Sequence, residues 1–166
     1  YGGIGGAGKA ALRRVTITGG SSIPKSAFAN FTDVTEINLP DTITKIHDDA
    51  FYNCTNLESI DIPDGVTYIG EYAFEGCETI PEFTLPSELK YIGKLAFGRC
   101  ISITEMMVPS KVTEIGTQAF YGCSSMTKLV IPQSVISIGN NIAGNTKLEE
   151  VTLPFMGNTP EGVAAN

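Results

Sequence analysis

The chain has 166 residues, of which 42% are hydrophobic and 17% charged, as expected for one globular domain with its own core. Its 18 acidic and 11 basic residues give a formal net charge of −7, which argues against nucleic acid or an anionic membrane surface as a partner. No apolar run reaches the roughly 18 residues needed to cross a bilayer, so membrane insertion is not expected.

Residues 1–11 are rich in glycine and are predicted to be a flexible leader or a truncated preceding segment. Gly3 to Lys9 match the phosphate-loop pattern G-x-x-x-x-G-K. That loop requires a strand before it and a Ser or Thr after the lysine to hold magnesium, whereas here the chain has just begun and Ala10 follows. The match is interpreted as accidental, and no nucleotide or other cofactor is expected.

From residue 12 onward the sequence repeats with a period of 23 residues. Three residue types keep this step: Pro40, Pro63, Pro86, Pro109 and Pro132; Phe28, Phe51, Phe74, Phe97 and Phe120; Cys54, Cys77, Cys100 and Cys123. A fixed period of about 20 to 50 residues is typical of a solenoid, in which successive coils stack and share one core.

The repeat at 57–77 predicts the fold of each coil. Ile60 and Ile62 alternate with polar residues as a strand facing a core does, and Pro63 ends that strand because it has no N–H to donate. A short helical or 3₁₀ segment carrying Ala73 and Phe74 is expected to close the coil. The predicted fold class is therefore an α/β repeat, with a parallel sheet on one face and helical turns on the other.

The first coil, residues 12–33, is shortened and has Pro24 in a column otherwise held mostly by glycine. The glycines are Gly70, Gly93, Gly116 and Gly139. Since proline is fixed near a φ of about −65°, a positive φ is not the shared requirement of this column. Close packing of neighbouring backbones is the predicted reason for the glycines.

The second coil places His47, the only histidine, in the same column, followed by Asp48 and Asp49. A histidine beside two carboxylates suggests an acid–base group. No nucleophile or second base recurs at a defined position, so a structural or surface role is favoured. No catalytic residue is assigned, and the protein is predicted not to be an enzyme.

The four cysteines occupy one equivalent site in four consecutive coils. Parallel Cα–Cβ vectors about 4.8 Å apart fit poorly with the roughly 3.8 Å Cβ separation of a disulfide. A line of thiols is not a tetrahedral metal site either. Buried, reduced cysteines are therefore favoured over disulfides or a metal site.

Tyr68 and Tyr91 share a column one coil apart and are predicted to stack and reinforce the solenoid. A platform on which a sugar stacks is the alternative. The last coil departs from the repeat, with Ala143 in place of phenylalanine, and is interpreted as a cap. We therefore predict one domain of about six to seven coils over residues 12–154, and a tail or linker over 155–166.

The outward-facing strand positions form two columns. Met107 and Val130 are apolar where polar residues are expected, and glutamates recur in the neighbouring column. Exposed apolar side chains rimmed by charge suit a protein contact. The candidate residues are Asn38, Asp61, Glu82, Thr84, Glu105, Met107, Lys128 and Val130.

The repeat from about Leu12 to Pro154 resembles the leucine-rich repeat, and more closely its BspA-like subfamily, whose units read L-x-x-I-x-I-P-x-x-V-x-x-I-G-x-x-A-F-x-x-C. Several units in register carry this resemblance. It implies a bacterial or protozoan surface protein that adheres to host proteins. The expected function is thus a non-catalytic extracellular or cell-surface recognition module, binding a host or matrix protein, or a glycan, through the strand-lined face. The alternative is a structural spacer without a ligand of its own.

Overall fold

The computed structural model describes residues 12–154, in which the repeats stack as a solenoid of short parallel strands. Strands on one side of the coils form two three-stranded sheets: β1 Arg14–Thr16, β3 Glu36–Asn38 and β5 Ser59–Ile60, then β8 Glu105–Met107, β10 Lys128–Val130 and β12 Glu150–Thr152. We call this side the strand face. No helix able to span a bilayer occurs in this part of the chain.

A second, six-stranded sheet runs along another side of the coils without interruption. Its strands are β2 Ser22–Ile23, β4 Lys45–Ile46, β6 Tyr68–Ile69, β7 Tyr91–Ile92, β9 Glu114–Ile115 and β11 Ser137–Ile138. Ile69 of β6 is fully buried, and the sequence pattern did not predict a strand at this position. Each two-residue strand consists of a serine, lysine, glutamate or tyrosine followed by an isoleucine. The isoleucine faces the core, so each coil contributes only one core residue to this sheet.

The core is built around the predicted column of phenylalanines. The rings of Phe28, Phe51, Phe74, Phe97 and Phe120 follow one another at centroid distances of 5.6, 5.1, 5.4 and 5.9 Å. Neighbouring ring planes lie within 19° of parallel, so the rings stack along the axis of the solenoid. Residues one period apart therefore lie above one another, as the spacing predicted.

The expected helical or 3₁₀ turns are wrong: the turn segments contain no helix in residues 12–154. Two positions in each turn have a positive φ, for example Asp49 at 55° and Asn53 at 58°, and left-handed residues every fourth position interrupt a right-handed helix. Alternate N–H groups instead donate to the next coil, such as that of Phe51 to the carbonyl of Ala73 at 2.8 Å. The turns thus form a third ladder of hydrogen bonds between coils.

The glycine column is explained by close backbone packing, as predicted. A Cβ added to Gly93 would lie 2.4 Å from the carbonyl carbon of Gly70, and one added to Gly116 would lie 2.4 Å from the nitrogen of Lys94. Neither glycine has a positive φ. Glycine is required here because the preceding coil's backbone occupies the space of a side chain.

The cysteine column is buried, as predicted, and its four thiols are free. Each Sγ donates to the carbonyl oxygen of the phenylalanine in the preceding coil, as Cys123 does to Phe97 at 3.1 Å. Burial raises the pKa of Cys54 and of Cys123 to about 12. The thiols are therefore packing groups that also satisfy a carbonyl in each turn.

The domain bounds drawn from the sequence remain a prediction. The phosphate-loop match at residues 3–9 and the tail at 155–166 both lie outside the described residues.

Candidate functional site

The columns predicted for the strand face are real structural columns within each three-stranded sheet. Glu105 pairs in register with Lys128, and Met107 with Val130. Asn38 lies in β3 of the other three-stranded sheet, and Asp61 directly follows β5 of that sheet. The register therefore aligns the columns within each three-stranded sheet, whereas Glu82 and Thr84 lie in no strand and fall between the two sheets.

The strand face is interrupted in the fourth coil. Residues 82–84 occupy the position of β5 and β8 but form no strand, and the two three-stranded sheets end on either side of them. The second sheet passes this point, because β6 pairs with β7. The turn ladder also passes it, since Phe74 donates to Ala96 at 2.8 Å and Phe97 to Ala119 at 2.9 Å. The break is thus confined to the strand face.

Pro81 provides a physical reason for the break. At the equivalent position of other coils a backbone N–H donates to the preceding coil: Glu58 to the carbonyl of Thr35 at 2.9 Å, and Thr127 to that of Thr104 at 2.8 Å. Proline has no N–H, so this bond cannot form in the fourth coil. The sequence signal for this break is a proline outside the 23-residue series.

The backbone that follows Pro81 is also unpaired. In residues 82–85 no N–H or C=O group makes a hydrogen bond with any residue in 12–154, whereas the equivalent Val108 N–H donates to the carbonyl of Val130 at 2.9 Å. Backbone groups of a strand in a stacked coil point toward the neighbouring coils. A short row of unsatisfied donors and acceptors therefore borders the break.

Phe83 fills the core beneath the break. Its ring meets the rings of Phe74 and Phe97 edge-on, with centroids 5.0 Å from each and interplanar angles of 63° and 68°. The equivalent core positions hold the smaller side chains Ile60 and Met106. The Phe83 ring thus lies between two stacked rings, in the one coil whose strand-face segment does not pair with its neighbours among residues 12–154.

A cleft of about 540 Å³ opens at this break, between the fourth and fifth coils. Its lining consists of Glu82, Phe83, Thr84, Leu85, Thr104, Glu105 and Met107. We call it the coil-4 cleft. Four candidate residues meet there, namely Glu82, Thr84, Glu105 and Met107, while Lys128 and Val130 lie one strand away. Phe83 and Leu85 lie 23 residues after Ile60 and Ile62, which the sequence pattern places in the core, and Thr104 was not among the predicted site residues.

Charge is distributed unevenly along the glutamate column. Glu36 pairs with Arg14 at 2.8 Å, and Glu150 with Lys128 at 3.1 Å. A hydrogen bond from Asn38, together with Arg14, lowers the pKa of Glu36. Neither Glu82 nor Glu105 forms an ion pair with any residue in 12–154, although Lys128 is the neighbour of Glu105 in register. The coil-4 cleft therefore carries two uncompensated carboxylates.

The two tyrosines on the second sheet stack as predicted. The rings of Tyr68 and Tyr91 lie 4.9 Å apart with planes 6° from parallel, and burial raises the pKa of both hydroxyls. The ring of His47 lies on the other side of Tyr68, with the two ring centroids 6.1 Å apart. The two faces of the Tyr68 ring are directed toward Tyr91 and His47 in the neighbouring coils. The arrangement therefore favours reinforcement of the solenoid over a platform on which a sugar stacks.

Among residues 12–154, His47 forms no hydrogen bond or ion pair with Asp48 or Asp49. The carboxylates of Asp48 and Asp49 instead form ion pairs with Lys25, whose Nζ lies 3.9 and 3.6 Å from their Oδ2 atoms. An Asp48 oxygen also accepts the backbone N–H of Glu71 at 3.0 Å. Over the described range, 12–154, no three His, Cys, Asp or Glu side chains are grouped so that they could hold a metal ion.

Comparison with known proteins identifies relatives of the repeat. Residues 44–159 match the family model described as "BspA type Leucine rich repeat region", in six copies. A search of curated proteins gives no match. A leucine-rich repeat protein from Bacteroides ovatus is 37% identical with a TM-score of 0.81, over 86% of this chain and 40% of its own.

Two further solved structures are similar. The leucine-rich repeat protein of T. pallidum is 23% identical, with a TM-score of 0.71 over 87% of this chain and 74% of its own, which supports the fold alone. A leucine-rich cell surface protein from Faecalibacterium prausnitzii is 27% identical, with a TM-score of 0.66 over 84% of this chain and 47% of its own. The chain thus spans less than half the length of the Bacteroides and Faecalibacterium proteins.

Proposed function

Because this chain belongs to the BspA-type leucine-rich repeat family, we propose that it is a non-catalytic recognition module that binds a protein through its strand face. The family is one of surface-protein-like repeats, and one similar structure is that of a cell surface protein. An extracellular or cell-surface location is part of the same proposal.

The observation that carries the proposal is the coil-4 cleft on the strand face. Its volume of about 540 Å³ falls within the roughly 300–1,000 Å³ typical of ligand-binding clefts. Met107 is 55% exposed at its rim, and Phe83 and Leu85 form an apolar floor. An exposed apolar side chain at the edge of a cleft that combines apolar and polar residues, with carboxylates at the rim, is the arrangement expected of a contact with another protein.

The test is a binding screen of the purified protein against matrix proteins, plasma proteins and glycans. Any protein that binds is measured again with Met107→Glu and Val130→Glu, each of which is expected to weaken binding at least about tenfold by placing a charge at an apolar contact. Ile136→Glu is the matched control, because Ile136 is an apolar residue, 77% exposed, beside β11 of the second sheet. It is expected to leave binding unchanged.

Two outcomes would contradict the proposal. A protein that binds equally well after both strand-face substitutions would place the contact elsewhere. A screen in which no protein binds would favour the structural spacer, which requires no ligand.

A further inference from the structure

We infer that the coil-4 cleft binds an extended peptide segment of the partner, in which a Lys or Arg side chain alternates with an apolar one. This inference rests on the proposed function and specifies the partner chemistry of the same face. Three independent features of the cleft lead to it: its unpaired backbone, its uncompensated charge and its apolar floor.

The unpaired backbone favours an extended peptide. Residues 82–85 present N–H and C=O groups that no residue in 12–154 satisfies, in a solenoid whose other coils are joined along this face by β-ladders. Unpaired strand groups of this kind pair readily with an extended segment of another chain, which forms hydrogen bonds through its own backbone. A helical segment does not supply such a row of backbone donors and acceptors, because its own N–H and C=O groups are already paired within the helix.

The charge of the cleft favours a basic residue. Glu82 and Glu105 are exposed and lie in consecutive coils, and neither forms an ion pair with any residue between 12 and 154. The cation nearest in register, Lys128, bonds instead to Glu150 at 3.1 Å. The whole chain carries a net charge of −7, so its field also attracts a cationic partner.

The apolar part of the cleft favours a hydrophobic residue beside the basic one. Phe83 and Leu85 lie beneath the rim and are each 8% exposed, while Met107 stands at the rim. A methionine side chain is flexible and polarizable and adapts to different apolar partners. Since successive side chains of an extended peptide point to opposite sides, alternate residues can reach the carboxylates and the neighbouring residues can reach the floor.

The inference is tested with fluorescently labelled octapeptides of alternating Lys and Val, measured by anisotropy at low and at moderate salt. Binding is expected for the Lys/Val peptide, and it should weaken as salt is added because the carboxylates lie at the surface. A Glu/Val peptide and a Lys/Ser peptide are expected to bind at least about tenfold more weakly. A Lys/Val peptide methylated on alternate backbone nitrogens is also expected to lose at least about tenfold in affinity, because it has lost donors.

Protein variants identify the surface. Glu82→Gln and Glu105→Gln are each expected to weaken binding of the Lys/Val peptide by roughly three- to tenfold, as loss of one exposed charge contact does. Glu114→Gln is the matched control, since Glu114 lies in the same coil as Glu105 but in β9 of the second sheet. It is expected to have no effect.

The inference would be overturned by equal affinity for the Lys/Val and Glu/Val peptides, by full affinity of the methylated peptide, or by unchanged binding in both glutamine variants. It can fail while the proposed function stands. In that case a whole protein binds the strand face and its binding is lost in the Met107→Glu variant, yet the Lys/Val peptide does not compete with that protein.

Discussion

The rings of Phe74 and Phe97 lie 5.4 Å apart with their planes 5° from parallel, and both side chains are completely buried. Each ring therefore packs against its own coil and against the coils on either side. A single truncation removes contacts on both sides of the coil, because the core is shared along the solenoid.

Truncation of this stack is expected to be strongly destabilising. Phe74→Ala or Phe97→Ala should lower the free energy of unfolding by about 3 to 5 kcal/mol, through lost burial and the cavity left behind. Urea denaturation measures the change, with Glu82→Gln as an exposed control that should alter stability by less than about 0.5 kcal/mol. Loss of less than about 1 kcal/mol in both alanine variants would contradict a shared core.

Gly93→Ala tests the close approach of neighbouring backbones. Its new Cβ would lie 2.4 Å from the carbonyl carbon of Gly70, so the two coils must separate, and a loss of about 1 to 3 kcal/mol is expected. Gly65→Ala is the matched control, because its Cβ would meet only carbonyl oxygens at 3.8 and 3.9 Å. Thermal melts should show Gly65→Ala unchanged or slightly stabilised, and equal melting temperatures for the two variants would contradict the packing argument.

The cysteine column makes stability depend on pH in the alkaline range. Burial raises the pKa of Cys54 and Cys123 from the ordinary 9.0 to about 12. Because the folded state holds these protons more tightly, their contribution is complete below pH 9 and is lost as the pH rises from 9 toward 12. Urea midpoints measured at pH 8, 10 and 11 should therefore fall.

A variant with Cys54→Ala and Cys123→Ala supplies the control for this decline. Its midpoints should fall less over the same range, and Tyr68 and Tyr91, whose pKa values burial also raises, account for part of what remains. An identical decline in both proteins would contradict the assignment to the thiols. Titration of the unmodified protein in denaturant is expected to find four free thiols.

Pro81→Thr tests the origin of the interrupted face. Thr supplies the missing N–H and matches Thr104 and Thr127 at the equivalent positions, so the two three-stranded sheets are expected to join across the fourth coil. The new amide should become protected from hydrogen exchange, and binding of any strand-face ligand should weaken at least about tenfold as the cleft narrows. Phe83→Ile, made separately, measures how much of the opening depends on the ring. An unprotected amide at position 81 with unchanged ligand binding would contradict the role of Pro81.

The 23-residue period predicted those features of the molecule in which equivalent residues of successive coils lie above one another. Phe51 and Phe120, the buried cysteines and the columns of the strand face follow directly from a 23-residue step, because stacked coils repeat their environment. The close-packed glycines could be inferred because Pro24 shares their column.

Other features depend on backbone geometry that side-chain type does not reveal. Tyr72 and Leu95 adopt positive φ angles of 57° and 51°, which neither residue type favours, because the turn ladder fixes the conformation. The turns therefore read as short helices in the sequence. The two-residue strands of the second sheet are too short for an alternating pattern. The break in the strand face did have a signal, since Pro81 lies outside the proline series.

The most direct test of the interrupted strand face compares the amide hydrogen exchange of Leu85 and Val108. The two residues are equivalent in consecutive coils, and their exposed fractions are 8% and 6%. Val108 donates its N–H to the carbonyl of Val130 at 2.9 Å, whereas the N–H of Leu85 has no partner in residues 12–154. Exchange at Leu85 is expected to be at least about a hundredfold faster than at Val108. Equal protection of the two amides would mean that the ladder is continuous and that the coil-4 cleft does not open as described.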